Sequence, residues 1–168
     1  MLTRTIYLFK MEKNQSDGPV KQSEGSVKQS EDQLQSSIVR KFSELYPEKR
    51  GQLFHVPNER NHALQAMQAR GKGIFPGVAD LIYFELGPLY RIKTLAIELK
   101  TPESRHNVET VEQQVEWGEI FEKNGGTWRL CDNIDDAIYC INGFYKGLTT
   151  EDVREKLANN GNKKTIKF

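Results

Sequence analysis

From position 30 onward the apolar residues switch between two patterns, a recurrence every three or four positions and short dense runs. Leu34, Ile38, Phe42 and Leu45 follow Ser30, Glu31 and Gln33. This spacing predicts an amphipathic helix opened by a capping box of Ser30 and Gln33, with Glu31 favourably placed in the first turn and Pro47 marking the end. Gln52 to Val56 predicts a short strand, Asn61 to Arg70 a helix ended by Gly71, and Gly73 to Gly77 a loop. Asp80 to Glu85 and Tyr90 to Lys100 are strand-like runs on either side of the turn signal Gly87-Pro88, so they predict a hairpin. Val108, Val111, Val115, Gly118 and Phe121 form a second helical stripe, closed by Gly125-Gly126. Thr127 to Cys131 predicts a strand, Ile134 to Tyr145 a helix and Glu151 to Ala158 a short polar helix, and the basic tail from Asn159 is expected to be loose. The order of elements predicts an α/β fold, a mixed β-sheet flanked by helices.

The first thirty residues differ in kind. Residues 12 to 30 are polar and carry a tandem repeat of seven, Gly18 to Glu24 and then Gly25 to Glu31. Two such copies cannot build a solenoid, and the stretch buries too little surface to offset its ordering entropy, so a flexible linker is expected. Met1 to Lys10, with Leu2, Ile6, Tyr7, Leu8 and Phe9, could dock as an extra strand or arm. The expected organisation is an N-terminal arm and linker over 1–30, a globular domain over 31–150, and a C-terminal helix and basic tail over 151–168.

A chain of 168 residues suits one core. Its net charge of +1 does not announce nucleic acid, so any DNA-binding surface must come from local clusters. Cys131 and Cys140 fit neither a disulfide framework nor the spacing of a zinc site, and read as small core residues in a reducing compartment. No run approaches a membrane span, and Met1 to Lys10 is too short for a signal peptide. A cytoplasmic protein with no membrane partner is expected.

The candidate chemistry lies in Leu95-Ala96-Ile97-Glu98-Leu99-Lys100. Side chains alternate along a strand, so Leu95, Ile97 and Leu99 share one face while Thr94, Ala96, Glu98 and Lys100 share the other. Taken alone, the acid and base read as a salt bridge on a solvated strand. Asp80 alters that reading, because it opens the preceding strand and an antiparallel pairing brings it within reach of Glu98. Two adjacent acids repel unless a cation sits between them. Hard oxygen ligands favour Mg²⁺ or Mn²⁺, which can stabilise charge on a phosphate and acidify a water, and a lysine alongside can neutralise developing charge.

Asp80 followed eighteen positions later by Glu98-Leu99-Lys100 resembles the signature of PD-(D/E)XK nucleases. A wider set is similar to the VRR-NUC domains: Glu31 and Gln35, His55-Val-Pro-Asn58, Gly73 to Asp80, Glu98-Leu-Lys100, and Gln114-x-x-Trp117 with Gly125 beyond. The likeness runs from about Glu31 to Ile141, and the layout resembles the stand-alone phage and bacterial members. One departure is Ala79, where the family usually has proline before the aspartate. The resemblance implies a restriction-endonuclease-like fold and a Mg²⁺- or Mn²⁺-dependent endonuclease. It assigns metal ligation to Asp80, Glu98 and the Leu99 carbonyl, positioning of the water to Lys100, completion of the site to Glu31, and support of the lysine to Gln114. It also implies branched, flapped or Holliday-junction-like DNA as substrate, a role in DNA repair, and a possible homodimer. Residue by residue, Glu31 continues the buried stripe of its helix and equally suits the helix dipole. Gln114 flanks a buried stripe and equally suits the surface.

Arg70 and Lys72 before the glycine loop, and Arg105 and His106 after the lysine strand, are expected to flank the cleft and reach phosphates. His55 and Asn58 are placed near the site as further DNA contacts. Two other readings stand beside the nuclease. One is a catalytically silent nuclease fold that binds DNA. The other is a restriction-type or mobile-element nuclease, for which the chain leaves little room for a sequence-reading part.

Overall fold

The computed structural model describes residues 29–57, 75–87 and 91–168. The expected N-terminal arm and linker, the Asn61–Arg70 helix, and the candidate contacts Asn58, Arg70 and Lys72 lie outside the described residues. Helix α1 (Glu31–Leu45) is opened by the expected capping box, the Ser30 side chain accepting from the Gln33 N–H while Gln33 accepts from the Ser30 N–H. After a single 3-10 turn (Pro47–Lys49) come strands β1 (Leu53–His55), β2 (Leu81–Leu86), β3 (Ile92–Leu99) and β4 (His106–Asn107), helix α2 (Val108–Lys123), strand β5 (Thr127–Cys131), helices α3 (Ile134–Ile141) and α4 (Thr150–Asn159), and strand β6 (Thr165–Ile166).

The main sheet has the order β1-β2-β3-β5. β1, β2 and β3 pair antiparallel, and β5 joins β3 in parallel after the crossover through α2. This is the mixed sheet with helices on both faces that the pattern predicts. Alternation along β3 decides which core each residue enters. Leu95, Ile97 and Leu99 pack under α1 and α3 with Leu34, Ile38, Phe42, Ala137 and Ile141. Ala96 faces the other way, packing with Val111 and Val115 of α2, Trp128 and Leu130 of β5, Val153 of α4 and Ile166 of β6. Trp128 is wholly buried and lies against Gly118, where an added Cβ would come within 2.9 Å of its ring. A glycine in mid-helix costs about 1 kcal/mol relative to alanine; here it admits the largest side chain of that core.

Two expectations are corrected. The helix over Ile134 to Tyr145 stops at Ile141, because Gly143 and Tyr145 adopt φ of +83° and +36° and turn the chain back. Leu148 then bridges to Leu130 of β5. The tail is docked rather than loose: β6 pairs with β4, and Ile166 is buried while the lysines around it stay outside. Residues 151–168 thus complete the core under α2. Both cysteines are free and buried, as expected, with their sulfurs 4.0 Å apart. Among the described residues no helix is long and apolar enough to cross a membrane.

Candidate active site

The hairpin register sets the site. Leu81 pairs with Ile97, so Asp80 falls one step further, opposite Glu98, at the end of β3. Asp80 Oδ2 accepts a hydrogen bond from the Leu99 N–H at 2.8 Å. The loop that delivers Asp80 is pressed onto α2. Gly77 has φ of +80°, and a Cβ there would lie 2.3 Å from the Gln113 carbonyl oxygen. Only glycine meets both demands. Ala79, where the resemblance expects proline, is fully buried in the α2 core.

Glu98 and Lys100 are not a solvated pair. Glu98 is 0% exposed and Lys100 4% exposed. Lys100 Nζ lies 2.6 Å from Glu98 Oε1 and donates to the Leu99 carbonyl at 3.0 Å. The ammonium therefore engages two of the oxygens that the resemblance assigns to a metal. Glu98 Oε2 is buried and without a hydrogen-bond partner. Burial, with Asp80 close by, pushes the Glu98 carboxyl up to about 8, against the opposing pull of Lys100. Burial likewise raises Asp80, opposed by the Leu99 N–H and Lys100. For Lys100 burial acts downward, but Glu98 and Glu31 outweigh it and hold the amine above its ordinary value. A buried carboxylate with an orphaned oxygen is costly, and a hard cation would satisfy it. The donor set of two carboxylates and a carbonyl fits such an ion.

Glu31, at the start of α1, reaches the same corner, its Oε1 lying 3.8 Å from Lys100 Nζ. Among the described residues no three His, Cys, Asp or Glu side chains gather as a metal cage, and the partners of the Glu31 carboxylate there are Lys100 and His106. Gln114 is half-buried on α2, the helix that covers the Glu98 face of the sheet, and its Oε1 is a second buried acceptor without a partner. Its Oε1 does not accept from the Lys100 ammonium, whose partners among the described residues are Glu98, the Leu99 carbonyl and Glu31. His55, at the end of β1, donates from Nδ1 to the Asp80 carbonyl at 3.0 Å and is otherwise exposed. Arg105 is exposed in the bend after Lys100.

The residue whose place the sequence reading missed is His106. Expected at the rim, it sits instead with Nδ1 3.3 Å from Glu31 Oε1 and Nε2 3.2 Å from the Thr101 carbonyl. Burial lowers its pKa. Its neighbours come from α1 and from the tail, so no local period marks it.

The mixed sheet thus carries two acids and a lysine at the end of its central hairpin. The chain is similar in structure to a solved VRR_NUC domain protein, with a TM-score of 0.51 over 68% of this chain and 86% of that one, at 21% identity. At that identity the likeness is one of fold. No protein-family model and no curated protein matches the chain.

Proposed function

We propose that this chain is a divalent-metal-dependent DNA endonuclease that hydrolyses phosphodiester bonds at the Asp80, Glu98 and Lys100 site. The observation that carries the reading is Glu98 Oε2, a wholly buried carboxylate oxygen without a partner beside a second carboxylate and an ammonium. The fold of a VRR_NUC domain protein supports the nuclease class. Asp80 and Glu98, with the Leu99 carbonyl, would hold Mg²⁺ or Mn²⁺. When bound, the ion would stabilise negative charge on the scissile phosphate and acidify a water. Lys100 would then leave the oxygens it now occupies and face the attacking water or the phosphate, where its fixed charge counts in a site shielded from solvent. Exposed Arg105 and His55 suit contacts to flanking phosphates, which position the strand without reading its sequence.

Branched, flapped or junction DNA is the proposed substrate, with a homodimer to make paired cuts; this part rests on the family resemblance. The test is cleavage of a labelled four-way junction, a flap and a linear duplex of equal length in Mg²⁺, Mn²⁺ or EDTA. Faster metal-dependent cutting of the branched substrates is expected. Equal rates on all three would reject the structural preference, and junction binding without cutting in either metal would favour the binding-module reading.

A further inference from the structure

The cysteines Cys131 and Cys140 stand on different elements and meet in one core. Cys131 ends β5, where it pairs with Leu99 of β3 and its carbonyl accepts the Lys100 N–H at 3.1 Å. Cys140 stands in the last turn of α3. The two sulfurs are 4.0 Å apart. The Cys140 thiol donates to the Lys146 carbonyl at 2.8 Å, so within the pair it is Cys131 that donates to Cys140.

Packing of two small side chains could bring the sulfurs this close by itself. Two further features tell the thiols apart. A cavity of about 60 Å³ has Cys140, and not Cys131, in its wall, next to the exposed Asn142, Gly143 and Tyr145. A single water needs roughly 10–15 Å³ of such space, so a molecule as small as hydrogen peroxide fits. Accepting from Cys131 lowers the Cys140 thiol, against its burial and with the help of Arg129, while the same bond and burial push the Cys131 thiol up. The thiolate is the reactive form of cysteine, and the cavity leads to the residue that forms it more readily.

We infer that Cys131 and Cys140 are a peroxide-sensitive modification site, in which Cys140 attacks the oxidant and Cys131 closes a disulfide. The Cys140 thiolate attacks one oxygen of hydrogen peroxide: an S–O bond forms, the O–O bond breaks, and the hydroxide released takes up the thiol proton as water. The Cys131 sulfur then attacks the Cys140 sulfenic acid: the S–S bond forms, the S–O bond breaks, and hydroxide leaves with the Cys131 proton as a second water. Two thiols and one peroxide give one disulfide and two waters. The sulfurs must close from 4.0 Å to about 2.05 Å, and Cys140 gives up the Lys146 carbonyl. Cys140 is 1% exposed, which selects a small peroxide over a bulky disulfide as the oxidant. The new bond clamps α3 to the strand end beside Lys100. None of this depends on the proposed metal site.

The test treats the reduced, folded full chain with hydrogen peroxide, blocks the remaining thiols with iodoacetamide in denaturant, and measures the intact mass. Wild type is expected to lose both alkylation sites together with two hydrogens, to stay a single chain without reductant, and to regain both thiols in dithiothreitol. Cys131→Ala is expected to stop at a Cys140 sulfenic acid that dimedone traps. Cys140→Ala is expected to keep its Cys131 thiol at peroxide levels that convert wild type. A wild type that keeps both thiols, gains oxygen without joining them, or joins only to a second chain overturns the inference. Oxidation of Cys131 in Cys140→Ala at the wild-type rate would overturn the assignment of Cys140 as the attacking residue.

Discussion

Asp80 Oδ2 accepts the backbone N–H of Leu99 at 2.8 Å, so one acid of the site is tied to the peptide between the other acid and the lysine. The bond fixes the distance between the two strands where the chemistry is placed. It also separates two roles of Asp80, because an amide oxygen can accept the same hydrogen while carrying no charge. Asp80→Asn is expected to fold with near wild-type stability and lose Mn²⁺ binding. Asp80→Ala leaves the Leu99 N–H unpaired and should cost a further 1–3 kcal/mol, roughly. Urea denaturation of both variants checks this, and equal stability would deny the hydrogen bond its role.

The buried carboxyl of Glu98 gives the metal-free protein a distinctive response to pH. Unfolded, the group loses its proton near its ordinary value of 4.5; folded, burial holds the proton up to about 8. Between these values the folded chain binds more protons than the unfolded one, so this group makes stability fall as pH rises, by at most about 1.4 kcal/mol per pH unit. The raised Asp80 acts in the same sense, while the lowered His106 acts in the opposite one. The difference between wild type and Glu98→Gln isolates the glutamate. That difference should grow in favour of glutamine from pH 5 to 8 in EDTA, measured by denaturant titration. A difference that does not vary with pH would contradict the burial of this charge.

Lys100 opposes that trend, because its charge lowers the Glu98 pKa. Lys100→Met should therefore leave stability little changed at pH 6, where the glutamate is protonated. At pH 9 it should cost about 1.4 kcal/mol more than at pH 6, because the wild-type carboxyl has lost its proton at about 8 while the stranded one keeps it. The double variant with Glu98→Gln should lose most of this pH dependence. Melting curves at the two pH values decide it.

Gly77 joins the glycine loop to the site. Gly77→Ala would need a strained φ and would drive its Cβ into the Gln113 carbonyl. A loss of at least about 2 kcal/mol is expected, with displacement of Asp80 and weaker Mn²⁺ binding. Wild-type melting and binding in this variant would show that the loop moves off α2 freely.

Much of this architecture was legible in the pattern of residues. The capping box at Ser30, the stripe of Leu34, Ile38 and Phe42, and the alternation across Leu95 to Lys100 are local signals, and local physics sets them. The pairing of Asp80 with Glu98 followed from a hairpin, whose register is itself nearly local. What the pattern did not carry is long-range. Ile166 sits among lysines and is buried only because the β4 edge lies open to it. Tyr145 turns the chain through a conformation that nothing in its type announces. His106 meets Glu31 and Phe168, partners more than sixty residues away on either side. Gln114 was placed beside the lysine by resemblance; the fold sets it on the helix over that face, with its oxygen still unpaired.

The most direct test of the account is the conversion of supercoiled plasmid to nicked and linear forms by wild type and by Lys100→Ala, each in Mn²⁺ and in EDTA. The account predicts cutting by wild type in Mn²⁺ alone, lost by at least about a hundredfold in the variant, the scale of removing a charge that stabilises a transition state. Equal cutting by Lys100→Ala, or cutting by wild type that persists in EDTA, would contradict it.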